Sequence, residues 1–338
     1  MKKHILFALS ALSLASGCTS IGDTVTGVGE AIKPQANAPA APAITEYPAP
    51  SEIVAKAKAK EWVAIAPSDL MVMELTPNAK GKPRRVVIQL MSEPFSQGWI
   101  GNIRKLVAAE FWDGTSVNRV QDNYVVQWGD ATEKKMLPDG LAMVPERAYI
   151  VETINLVGMP VSRSSSERTW REGLTSDAYS ARTALDKGWP VAFGKSAGVW
   201  PVHCYGMVGV GRNLSPDTGT GAELYTVIGH APRHLDRNIA LVGRVIEGIE
   251  HLSSLPRGTG ALGFYESETE RTPILSVRIG ADARDLPAFE YLSTESESFA
   301  KYADARANRR DPFFNVPAGG ADICNIPVPV RRRAVPSK

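Results

Sequence analysis

Within the run Phe111 to Asp130, FWDGTSVNRVQDNYVVQWGD, Tyr124 follows Arg119 by five residues and Gln127 follows three further on. At that spacing a guanidinium that never loses its charge, an apolar wall and an amide stand side by side in a concave site. A rigid forked donor beside an apolar slot stabilises lone-pair density that develops during a reaction, without a nucleophile or a metal. No acid, base, nucleophile or metal set of comparable quality appears elsewhere. Gly194-Lys195-Ser196-Ala197-Gly198 fits the G-x-S-x-G nucleophile pattern, which needs a helix after it, yet Val199-Trp200-Pro201 follows. Gly258 to Gly263 matches G-x-G-x-x-G with no βαβ unit around it and Pro256 just ahead, so it reads as a loop. His230 and His234 are four apart, but Pro232 between them disrupts a single helical metal face and no third ligand is evident.

A second block reads HCYGMVGVGRN from His203 to Asn213, then GAELYTVIGHAPRHLDRNIALVGRVIEG from Gly221 to Gly248. The first block resembles the heart of cyclophilin-type peptidyl-prolyl cis-trans isomerases, F-[FYW]-D-G followed by F-H-R-x-x-x-x-F-x-x-Q-x-G-D. The second resembles that family's M-A-N, G-S-Q-F-F-I-T, H-L-D-G and V-F-G-x-V-x-x-G. Both blocks occur in the family's order, and with the strands before Phe111 they cover roughly two thirds of the chain. The resemblance implies a mainly β fold, a closed antiparallel cyclophilin-like β-barrel capped by helices, with a long surface insertion and a C-terminal tail added here. It also implies rotation about Xaa-Pro bonds as the activity, with no cofactor.

By the same resemblance Arg119 and Gln127 are the catalytic residues. Tyr124, Val125 and Leu235 wall a proline pocket, Tyr225 floors it, His234 stands at its rim, and Glu223 faces the bound peptide backbone. The chain departs from the pattern at several positions. Asn118 stands where the family has His, Trp128 where it has the first Gly of Gly-Gly-Asp, and Leu224 where it has the first Phe of Phe-Phe. Glu223 replaces a glutamine that binds substrate backbone, and Ile239 replaces a histidine at the pocket edge. A carboxylate at Glu223 can pair with Arg119 and compete for its donors, so the expectation is weak or narrowed activity. The alternative is a module of the same fold that binds Pro-containing segments as chaperone or scaffold, with little or no turnover.

Met1-Lys2-Lys3-His4, the apolar run Ile5 to Leu14, and Ala15-Ser16-Gly17 before Cys18 form a secretory signal too short to span a bilayer. A cysteine directly after the small-residue box resembles a bacterial lipoprotein signal, with 1–17 removed and Cys18 lipidated; an ordinary signal peptide is the other reading. Thr19 rather than aspartate after Cys18 favours, by that resemblance, the outer membrane. Loss of 1–17 removes Lys2 and Lys3 and no acid, so the 38 basic residues fall level with the 36 acidic ones. Such a balance argues against a nucleic-acid partner. The expected partners are the membrane, through the lipid, and proline-containing exported polypeptides. Cys204 and Cys324 remain, an even pair that in an oxidising compartment is readily a disulfide; two free buried thiols are the alternative.

Residues 18–51 are rich in Ala, Pro, Gly and Thr and suit an extended tether. The domain is expected over 52–285. Trp62 to Leu75, alternating late in its length (Leu70, Val72, Glu74), and Arg85 to Leu90 read as two strands separated by the turn Asn78-Ala79-Lys80-Gly81, an opening that suits a β-barrel. Trp99, Ile103, Leu106 and Val107 recur at helical spacing and read as a core helix. An insertion is expected over about 131–202, and a C-terminal extension over 286–338. That extension is read as a helical piece around Leu286 to Ala307, then a solvated Pro-rich tail ending in Arg331-Arg332-Arg333.

Overall fold

The computed structural model describes residues 47–152, 177–194 and 198–334. The signal segment, Cys18, almost all of the tether, the middle of the insertion (153–176) and the centre of the Gly194–Gly198 motif lie outside the described residues. The described chain opens with a short helix α1 (Pro50–Ala55), started by Pro50, whose missing N–H is no loss in a first turn.

Eight strands close into an antiparallel barrel: β2 (Leu70–Leu75), β3 (Arg84–Leu90), β4 (Ser116–Val120), β5 (Val125–Gly129), β9 (Met207–Val210), β10 (Leu224–Val227), β11 (Leu241–Glu247) and β12 (Thr272–Ile279). Their order around the wall is β10-β5-β4-β12-β2-β3-β11-β9. The opening hairpin runs in register from Leu70 opposite Gln89 to Leu75 opposite Arg84. Its turn is tied by Asn78 Oδ1, which accepts from the backbone N–H groups of Lys80 and Lys82 at 2.9 and 3.1 Å. Gly81 there has φ +73°, a conformation glycine adopts without strain.

Helix α2 (Gln97–Ala108) caps the barrel and buries Trp99, Ile100, Asn102, Ile103, Leu106 and Val107, the stripe its spacing predicts. Asn102 is held through its amide: Nδ2 donates to Ala142 O at 2.9 Å, and Oδ1 accepts from Ala142 N at 2.7 Å. The helix therefore also fastens down the start of the inserted region.

The first expected strand divides. Pro67 opens a short 3-10 turn, Pro67–Asp69, and its lack of an N–H ends strand pairing there. Residues on its N-terminal side form β1 (Trp62–Ile65), which joins a second sheet with β13 (Phe289–Leu292) and β14 (Val330–Arg332). The helix expected over Leu286 to Ala307 is thus half right. Phe-Glu-Tyr-Leu pairs with β1, and only Glu297–Ala307 is helical (α3), capped by Ser296 Oγ accepting from Phe299 N at 3.1 Å.

The terminal arginines are not simply solvated. Arg331 pairs with Glu290 at 2.7 Å and lies over Trp62, and Arg332 pairs with Glu247 at 2.6 Å. Within the insertion, β6 (Arg182–Asp186), β7 (Trp189–Phe193) and β8 (Val199–Pro201) make a third sheet. Trp189 from that sheet stacks on Arg244 of β11, whose buried guanidinium donates to Gln89 Oε1 and Gly188 O. Cys204 and Cys324 are joined as a disulfide with their Cα atoms 5.1 Å apart, fixing the C-terminal extension to the barrel.

Candidate active site

The site faces outward from three neighbouring strands. Gln127 on β5 is opposite Arg119 on β4 and opposite Tyr225 on β10, so the three side chains share one face of the sheet. Trp128 and Leu224, one residue away, pair with each other on the opposite face and are fully buried in the barrel. In the β4–β5 ladder Val117 meets Trp128 while Arg119 meets Gln127, two steps on one strand for one on the other. That is a bulge at Asn118. Without it Arg119 would share the inward face of Val117; the extra residue turns the guanidinium out into the cavity.

A cavity of about 630 Å³ opens on this face. Its lining includes Arg119, Gln127, Tyr124, Val125, Tyr225, Leu235, Ile239 and Glu223. His234 is exposed and stands at the edge, stacked on Tyr124 with ring centroids 6.1 Å apart. Val125, Tyr225 and Val227 form a small apolar cluster with Tyr124 and Ile239 packed against it. Among the described residues no group of three or more His, Cys, Asp or Glu side chains is placed to hold a metal ion.

Arg119 is held as a rigid fork. Nε donates to Leu262 O at 2.8 Å, Nη1 to Gln127 Oε1 at 3.1 Å, and Nη2 to Gln121 Oε1. One N–H on each terminal nitrogen carries no bond among the described residues. The guanidinium lies between two aromatic rings, 5.8 Å from the centroid of Tyr124 and 5.2 Å from that of Phe264.

The expected pairing of Glu223 with Arg119 does not occur. Gln127 stands between them: its Oε1 accepts from Arg119, while its Nε2 donates to Glu223 Oε2 at 3.2 Å. The register explains this, because Gln127 is opposite Tyr225 and Glu223 lies two residues before it, level with Gly129. A Cβ at Gly129 would come within 2.0 Å of Glu223 Oε1, so glycine there leaves the carboxyl in its present place. Burial pushes the Glu223 carboxyl up to about 7; bonds from Gln127 and Asn118 oppose the rise, and the Asp130 and Glu133 carboxylates add to it. Asn118 is itself buried, and its Oδ1 has no hydrogen-bond partner among the described residues.

Sequence reasoning takes Gly258–Gly263 as a loop but gives Gly258–Tyr265 no part in the site. Leu262, Phe264 and Tyr265 line the cavity, and Phe264 bridges to Arg119 as an extra edge beside β4. The glycine spacing was the available signal. A Cβ on Gly263 would meet Gln121 Cα at 2.7 Å, and one on Gly258 would meet Gly263 O at 2.1 Å. These glycines let the loop fold tightly against a strand end, not around a phosphate.

The chain belongs to the cyclophilin-type peptidyl-prolyl cis-trans isomerase family, whose model (Cyclophilin type peptidyl-prolyl cis-trans isomerase/CLD) matches residues 80–279. Membership makes it an isomerase of prolyl peptide bonds. Among solved structures it is similar to cyclophilin AquaCyp293 from Hirschia baltica, with 20% identity, a TM-score of 0.58 and coverage of 80% of this chain and 92% of that one. It is also similar to a cyclophilin type peptidyl-prolyl cis-trans isomerase from Cryptosporidium parvum, solved in the presence of the dipeptide Ala-Pro. There the identity is 10% and the TM-score 0.36, over 62% of this chain and 98% of that one. Among curated proteins no match is found.

Proposed function

We propose that the chain turns Xaa-Pro bonds of exported, partly folded polypeptides in the periplasm, held to the outer membrane through a lipid on Cys18. Amide resonance sets a barrier of about 18 to 20 kcal/mol to this rotation. Lowering it needs no covalent step, only preference for the twisted state, in which the prolyl nitrogen becomes pyramidal and accepts a hydrogen bond. The Arg119 fork supplies that bond. Three fixed acceptors prevent it from reorganising as the bond turns, so the stabilisation is already in place. Tyr124, Val125, Tyr225, Leu235 and Ile239 take the pyrrolidine ring. A single observation carries the reading: a fixed guanidinium beside an apolar slot on the outer wall of the barrel.

The periplasmic address rests on the Lys2-Lys3 region, the Ile5 to Leu14 run and Cys18, and is supported by the Cys204–Cys324 disulfide, a bond of oxidising compartments. Two experiments test the reading. Isomerisation of a short Ala-Pro peptide, followed by exchange NMR, should be accelerated by the chain and lost in Arg119→Ala; peptide binding with no rate above buffer would favour the binding module. Fatty-acid labelling in a bacterial host should depend on Cys18, and Cys18→Ala should release the protein from the outer-membrane fraction.

A further inference from the structure

Tyr225 floors the cavity, yet its hydroxyl points away into a buried chain of polar groups. The Tyr225 oxygen lies 2.9 Å from His203 Nε2. His203 Nδ1 lies 2.8 Å from Asp236 Oδ1, which also accepts from the His203 backbone N–H at 3.0 Å. Arg233 Nε donates to Asp236 Oδ2 at 2.6 Å, and its Nη1 donates to Asp177 Oδ2 at 2.7 Å. Tyr225, His203, Asp236 and Arg233 are all at least nine-tenths buried.

We propose that His203 and Asp236 are positioning residues of the proline pocket: the chain Tyr225–His203–Asp236–Arg233–Asp177 fixes the floor against Gln127 and Arg119. The proposal rests on the functional reading above and concerns the same pocket. Donors and acceptors match at each link from Tyr225 to Asp177, while Arg233 Nη2, off that path, has no partner among the described residues. The Asp236 carboxylate is paired with Arg233 and accepts a hydrogen bond from Nδ1–H of a neutral imidazole, which leaves Nε2 to accept a hydrogen bond from the phenol O–H. Burial pushes the His203 imidazole down, in keeping with that neutral state.

Filling this volume alone does not require polar groups. A phenylalanine over an apolar neighbour would do so without burying a carboxylate and a guanidinium. The phenol also lies tight over β9, since a Cβ on Gly209 would come within 2.3 Å of Tyr225 Cζ and its oxygen. Pinning the hydroxyl therefore sets the height of the floor. Tyr225 is directly opposite Gln127, and Gln127 holds Arg119, so a shift of the ring changes the distance from proline to the fork. The Arg233–Asp236 turn acts on a second wall as well, because Leu235 lies within it. The far end of the chain, Asp177, caps the N–H groups of Tyr179 and Ser180 just before β6, which ties the pocket floor to the inserted sheet.

The test compares Tyr225→Phe, His203→Leu and the double variant of the full chain, with Tyr302→Phe as a matched loss of a phenol bond, to Pro327 O, outside the cavity lining. Isomerisation of an Ala-Pro peptide gives kcat and KM, NMR titration gives the peptide Kd, and thermal melts give stability. Tyr225→Phe and His203→Leu should each raise KM and Kd about three- to tenfold with kcat within about twofold, and the double variant should be no worse than the weaker single. Tyr302→Phe should lower the melting temperature and leave KM unchanged. Unchanged KM and Kd in Tyr225→Phe, or single effects that multiply in the double variant, would overturn the proposal. Should His203→Leu fail to fold, Asp236→Asn replaces it in the same cycle. Absence of isomerisation in the unaltered chain refutes the enzymatic reading alone, and the Kd values still decide the positioning claim.

Discussion

Glu223→Gln isolates the charge that sets this chain apart from the pattern it resembles. The Glu223 carboxyl titrates at about 7 when folded against 4.5 ordinarily, and burial is the main cause. A folded value raised above the unfolded one stabilises the protein fully below pH 4.5. That contribution is lost as the pH rises through about 7, because above it the folded state must hold a buried carboxylate. At about 1.4 kcal/mol per pH decade between the two values, the loss amounts to about 3 kcal/mol. Glutamine keeps an acceptor for Gln127 Nε2 without the charge. Urea denaturation of both proteins between pH 4 and pH 8 should therefore show Glu223→Gln gaining about 3 kcal/mol on the unaltered chain across that range. Activity should follow the same curve, since a bound peptide no longer has to cover a charge. We expect kcat/KM for an Ala-Pro peptide to rise roughly two- to tenfold at pH 8, with the gain fading below pH 6. Parallel stability curves, with no widening between pH 4 and pH 8, would refute a carboxyl raised by burial at this position.

Arg119→Ala should lower kcat by roughly a hundred- to a thousandfold while circular dichroism and melting stay near those of the unaltered chain, as for loss of a preorganised donor. Cys204→Ser should destabilise the protein by on the order of 3 to 5 kcal/mol in non-reducing denaturation, since the bridge closes a separation of 120 residues. Phe264→Ala removes one of the two rings flanking the guanidinium, and KM should rise about threefold with little change in kcat.

The barrel was legible because two apolar runs flank a turn at its start and because Trp99, Ile103, Leu106 and Val107 repeat at helical spacing; the half-buried alternation read at Leu70, Val72 and Glu74 is not there, since those three share one face and β2 is buried on both. Arg119, Tyr124 and Gln127, singled out by type and spacing, line one cavity. What stayed hidden depends on distance through space. Nothing in the local pattern says that Phe264, 145 positions after Arg119, lies against it, or that the hydroxyl of Tyr225 reaches His203. The C-terminal region was misread for a similar reason. Phe289–Leu292 is a strand because Trp62–Ile65 and Val330–Arg332 are there to pair with it on either side.

Glu223 shows how a substitution can be seen in the sequence and its effect still be misjudged. The carboxylate was legible, and opposite charges in one pocket argue for an ion pair. Two backbone facts decide otherwise. The bulge at Asn118 sets Arg119 opposite Gln127, and the β5–β10 register leaves Glu223 beyond that glutamine. The glutamine amide can satisfy both charges at once, carbonyl oxygen toward the guanidinium and NH₂ toward the carboxylate. It therefore acts as a dipole between them. A direct pair would have drawn the fork toward Glu223 and away from the apolar slot. With Gln127 interposed, Arg119 keeps its place beside Tyr124, and the consequence of the carboxylate passes to the pH dependence of the site, where titration can measure it.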